Sequence, residues 1–112
     1  MDTKQAKVAF MILSDDPARA IPGLVMAKRL KEHRGDDVRV LFFGPGVKLA
    51  ASGDVDTQIQ ELRAVDILPK ACGANVEAYG IAEPMSQKPI ELLSAGQEVE
   101  EFHHQGYTVL TF

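Results

Sequence analysis

The 112-residue chain contains a single cysteine, Cys72, and one cysteine cannot close an internal disulfide. A secreted domain seldom leaves a lone thiol unpaired, so a reducing, cytoplasmic setting is expected. Positive charge is also scarce. Lys and Arg number 12 against 16 Asp and Glu, a net charge of −4, and the basic residues are scattered singly. Nucleic-acid binding needs a basic stripe that displaces phosphate counterions, so that class is set aside. Long hydrophobic runs are missing too. The longest, Val8 to Leu13, has six residues, against the ~20 that a membrane-spanning helix requires. The chain opens on charged residues, which argues against a secretory leader, and no membrane partner is expected. No segment repeats, and no low-complexity stretch or linker divides the sequence.

What is present has the proportions of one soluble domain over residues 1–112, with 46% hydrophobic and 25% charged residues. A chain this long buries roughly 65% of the surface that its unfolded form exposes, enough to build a core without disulfides or a structural metal. Lys7 to Leu13 (KVAFMIL) is apolar almost throughout, too short for a buried helix, and stops at Ser-Asp-Asp-Pro; it reads as a central strand. From Ile21 to Arg34, Leu24, Ala27 and Leu30 fall at helical spacing opposite Lys28, Arg29, Lys31 and Glu32, and Gly35 closes that helix. Pro22 is expected in its first turn, with Pro17 to Ala20 a separate short turn or kinked extension.

Val38 to Phe43 reads as a second strand, ending in Gly44-Pro45-Gly46 and a short helical piece through Ala51. A helix follows over Asp54 to Val65, with acids in its first turn. Ile67 to Ala71 is the third strand, made irregular by Pro69. Ala74 to Tyr79 is expected as a helix, Ile90 to Leu93 as a strand, Gln97 to Gln105 as a helix and Tyr107 to Phe112 as the last strand. Strands and helices alternating at this spacing call for parallel pairing through right-handed crossovers, hence a three-layer α/β/α sandwich.

Ligands of such sheets bind beyond the carboxyl ends of the strands, where loops converge on one rim. The rim comprises Ser14-Asp15-Asp16, Gly44-Pro45-Gly46, Cys72-Gly73-Ala74-Asn75 and Ser94-Ala95-Gly96. Ser14, Asp15, Gly44, Gly73, Asn75, Ser94 and Gly96 are therefore the candidate ligand-binding residues. Cys72 is the candidate nucleophile: flanked by small residues where strand gives way to helix, its sulfur lies close to unpaired backbone N–H groups, which stabilise a thiolate. A helix N-terminus is worth about 0.3–1 kcal/mol and one pKa unit about 1.36 kcal/mol, so the dipole alone shifts the thiol by less than one unit. A further donor or cation is required. Lys70, two residues earlier on the same strand face, is the nearest in sequence. Free cysteine is also among the most buried residue types, and simple packing is the competing reading of Cys72.

Other features reduce to structure. Asp15-Asp16-Pro17 has the form of a helix cap. Gly44-Pro45-Gly46-Val47-Lys48-Leu49 fails the dinucleotide pattern, because Leu49 stands where a third glycine belongs, and it lacks the spacing of a phosphate-binding loop. His103 and His104 point about 100° apart on a helix and have no further ligands at suitable spacing, so they complement the helix dipole and no metal site is expected. No Ser-His-Asp order with a nucleophile elbow is present.

The segment from Ala71 onward, ACGANVEAYGI, then IELLSAG, then EFHHQGYTVLTF, resembles the DsrE/DsrF-like proteins of the sulfur-relay superfamily. The stations shared are an apolar strand ending in cysteine, a short helix with a Gly-Ile pair, a strand ending in Ser-x-Gly, a helix, a glycine and an aromatic-rich final strand. KVAFMILSDDP and VLFFGPGVKLA agree more loosely. The resemblance implies a five-stranded, mainly parallel sheet flanked by helices, assembly as a homo-oligomer (trimer or hexamer), and a persulfide on Cys72. No cofactor is expected. Two departures from the pattern are Pro69, which bears on how the cysteine is oriented, and the absence of a second thiol, which means that sulfur must come from a donor protein and pass to an acceptor protein. Two functions are carried forward: a sulfur carrier acting through Cys72, and a non-catalytic oligomeric module that binds a small ligand or partner at the rim while the cysteine only packs.

Overall fold

The apolar run near the start pairs on both sides, as a central strand must: β1 (Lys7–Ile12) lies parallel to β2 (Asp37–Phe42) and to β5 (Thr108–Thr111). This computed structural model describes residues 4–112; the first three residues of the expected domain lie outside the described residues. β3 (Lys70–Cys72) and β4 (Glu91–Leu93) complete an all-parallel sheet of five strands in the order β4-β3-β2-β1-β5. Six helices connect the strands: α1 (Pro17–Arg34), α2 (Pro45–Ser52), α3 (Asp56–Ala64), α4 (Gly73–Tyr79), α5 (Ala82–Ser86) and α6 (Ala95–His104). The α/β/α architecture is as expected.

The strand order distributes the helices unequally. Steps from β1 to β4 move one way across the sheet, and the step from β4 to β5 returns across its full width. Right-handed crossovers then place α1 to α5 on one face and α6 alone on the other. Side-chain contacts agree. Phe112 stacks on Phe10 at 5.7 Å, and a Cβ built on Gly23 of α1 would come within 2.6 Å of the Phe112 ring, which fixes α1 on the Phe10 face. On the opposite face Lys70 Nζ is 3.2 Å from Glu98 Oε2 of α6, and Phe102 of α6 packs on Tyr107 at 5.7 Å.

Several element boundaries differ from the sequence reading, each for a local reason. α1 begins at Pro17, not Ile21, because Asp16 caps it: Oδ1 accepts from the N–H of Ala18 at 2.9 Å. Pro22 thus sits inside the helix, on its exposed side, where the Ala18 carbonyl left without its donor faces water. β3 runs Lys70–Cys72 instead of Ile67 to Ala71. Pro69 has no N–H for the ladder and stands just outside it, its carbonyl accepting from Glu91 N–H at 3.0 Å. α6 begins at Ala95 because Ser94 is its cap, α4 begins at Gly73, and α5 is an additional helix that sequence periodicity over so few residues does not reveal.

Candidate functional site

Cys72 ends β3 and is the N-cap of α4, with extended backbone (φ −68°, ψ 112°), so the chain turns directly from strand to helix at this residue. Its side chain makes no capping hydrogen bond. The residue is only 5% exposed. In the sheet it lies opposite Leu93 of β4, and alternation along β3 puts it on the same face as Lys70, the face covered by α6. The thiol is therefore a buried group on the α6 side of the sheet.

Lys70 is not a free cation for that thiol. Its ammonium is committed to Glu98, whose side chain is almost wholly enclosed and whose Oε2 has no hydrogen-bond partner beyond this ionic contact. Sequence spacing located the lysine but gave no sign of the acid, which is 28 positions further along and on another element. A helical wheel would have flagged Glu98: it stands between Ala95 and Phe102 in the buried stripe of α6.

The rim residues divide by role. Gly44 and Asn75 are brought together, the Gly44 N–H donating to Asn75 Oδ1 at 2.8 Å; this bond ties the loop after β2 to the first turn of α4. Gly44 has φ 59°, in the left-handed region that glycine tolerates, and leads into α2. Gly46 is buried against the end of β1, where a Cβ would overlap the Ile12 carbonyl oxygen, so α2 sits directly on the β1 terminus. Ser14 is turned inward on its own loop. Its Oγ accepts from Asp16 N–H at 3.0 Å, and its N–H donates to the Phe112 carbonyl at 3.1 Å. Asp15 is exposed. Ser94 Oγ accepts from Gln97 N–H at 3.5 Å, which makes it a helix cap. Gly96 and Gly73 are first-turn helical residues, not loop residues. A Cβ built on Gly73 would meet the Leu93 carbonyl oxygen at 3.6 Å, an ordinary contact, so the chain beside Cys72 packs directly against β4.

Residues 6–112 match the model of the DsrE/DsrF-like family. The chain belongs to that family. Its fold is shared by solved structures of low identity. A conserved protein of unknown function from Bacteroides thetaiotaomicron superposes with a TM-score of 0.79 at 21% identity, covering 95% of this chain and 95% of that one. A protein of unknown function from Methanobacterium thermoautotrophicum gives 0.79 at 17% identity, with 96% and 100% covered. The ychN protein from E. coli gives 0.73 at 16%, with 95% and 99% covered. No curated protein matches the chain. Among the described residues of this DsrE/DsrF-like chain, no helix is long and apolar enough to cross a membrane and no three acidic, histidine or cysteine side chains gather as a metal set.

Proposed function

We propose that this DsrE/DsrF-like protein carries sulfur as a persulfide on Cys72. The observation that supports it is the position of the chain's one thiol, last in β3 and first before α4, at the carboxyl end of the sheet. The Cys72 thiolate attacks the outer sulfur of a donor persulfide. The donor's S–S bond breaks, the donor leaves as a thiolate, and Cys72 holds the new S–S bond. An acceptor thiolate then takes the outer sulfur and returns Cys72 to its thiolate, so no external oxidant or reductant is consumed. The N–H groups of Gly73 to Asn75, which no cap side chain occupies, are the donors available to a charged sulfur.

The test is intact-mass measurement after exposure to polysulfide, or to a cysteine desulfurase with its substrate. A gain of one sulfur atom that disappears in Cys72→Ser is the expected result. No gain, under conditions that load a known carrier, refutes the reading.

The burial of Cys72 favours a second reading: a homo-oligomeric module that binds a partner or small ligand at the rim while the cysteine packs. That reading expects Cys72→Ser to retain binding and the native thiol to alkylate no faster than free cysteine.

A further inference from the structure

A buried carboxylate beside an enclosed thiol needs a reason: Glu98 is taken out of water, its partner Lys70 is only part-buried, and an apolar residue would serve the core at least as well. Lys70 and Glu98 nevertheless meet at 3.2 Å under α6, with Glu98 only 7% exposed. Cys72 is two residues beyond Lys70 on the same face of β3, roughly 7 Å along the strand. Glu98 is one helical turn beyond Ala95, which is buried directly after the Ser94 cap, and the strand that leads into this cap pairs Leu93 with Cys72. The first turn of α6 is thus the roof of the thiol, and the ion pair fastens it down. The other fastening at that end is weak: the Ser94 cap bond is 3.5 Å long. Among the described residues no other helix lies on this face, which leaves the start of α6 as the helical element that could cover the sulfur.

We infer that Lys70 and Glu98 are positioning residues that control access to Cys72: the thiol reacts when their ion pair parts and the start of α6 lifts. The functional meaning of this control rests on the carrier reading, but access itself is measured without any sulfur donor. In the closed state donors are excluded and a loaded persulfide is shielded from stray thiols; a donor or acceptor that competes for Lys70 or Glu98 opens the site.

The experiment follows alkylation of Cys72 in the folded protein by a small maleimide. Lys70→Met and Glu98→Gln are expected to react faster than the native protein by about tenfold or more, since each leaves one partner unpaired and favours the lifted state. Lys70→Arg is expected to keep the slow rate, because it restores the charge on the same face; general loosening of the fold would not be rescued in this way. Native-like rates in both neutralised variants overturn the inference. Should those variants fail to fold, the native protein still decides: hydrogen exchange at the Glu98 amide, the first in α6 with a backbone acceptor, should report the same opening free energy as the protection of Cys72 from alkylation. Protection of Cys72 equal to that of the β1 amides means that only global unfolding exposes it, and overturns the proposal. Fast alkylation of Lys70→Met without sulfur loading would remove the carrier and leave the gate; sulfur loading at rates indifferent to both variants would do the reverse.

Discussion

Two side chains show how much a single residue decides here. Asn75 uses its amide oxygen to hold Gly44, so it acts as a clasp between the loop after β2 and the first turn of α4 and has one acceptor fewer for any ligand. Asn75→Ala should cost about 1 kcal/mol in urea unfolding, because Gly44 is partly solvated and water replaces part of the lost bond, whereas Asn75→Asp keeps the acceptor and should cost less. Tyr107 is held tightly as the neutral phenol. Burial, then the hydrogen bond that its hydroxyl donates to Asp37 Oδ2 at 2.6 Å, raises its pKa to about 12. An unfolded tyrosine ionises near about 10, so above that pH the unfolded chain releases a proton that the folded chain retains. The stabilisation is complete below pH about 10 and is lost as pH rises toward about 12. Denaturant midpoints across that interval should fall more steeply in the native protein than in Tyr107→Phe; parallel slopes would contradict the assignment.

At the scale of elements, the strongest signals were the apolar runs of β1 and β2, whose KVAFMI and DVRVLF pair residue for residue in the sheet. The helix ends followed their caps, Asp16 for α1 and Gly35 for its close. What the sequence hid was long-range. Pro69 looked like a defect inside a strand, yet the ladder starts one residue later and the proline contributes only its carbonyl. Cys72 was correctly placed at the junction of strand and helix, but its burial, beside β4 and on the α6 side of the sheet, rests on segments more than 15 residues further along the chain. The Lys70–Glu98 contact has the same origin. Gly46 carries a constraint of this long-range type that can be measured. Because a methyl there would collide with the Ile12 backbone, Gly46→Ala must push α2 off the end of β1, and its cost should reach the upper end of the ~1–3 kcal/mol usual for overpacked sites. Gly96→Ala, where a Cβ would meet only the Ser94 Oγ at 4.0 Å in a helical environment, should be neutral or stabilising by comparison.

The whole molecule is lopsided, five helices on one face of the sheet and the ten-residue α6 on the other. A single helix crossing five strands cannot cover them, and Val109 on that face is 38% exposed while Val99 of α6 itself is 39% exposed. β5 adds an unpaired edge with all four residues exposed and none charged, the kind of edge that soluble proteins ordinarily blunt with lysine or proline. A second copy of this chain is the proposed cover, in keeping with the homo-oligomer that the family resemblance implies. Light scattering should report a mass above that of one chain, and Val99→Glu with Val109→Lys should lower it while leaving the circular dichroism unchanged; a native protein that scatters as a monomer at every concentration refutes the assembly. Such an assembly would also bear on the thiol. A second copy packed over Val99 would hold down the helix inferred to cover Cys72, so alkylation of Cys72 should slow as protein concentration rises through the dissociation midpoint, and the doubly charged variant should lose that dependence.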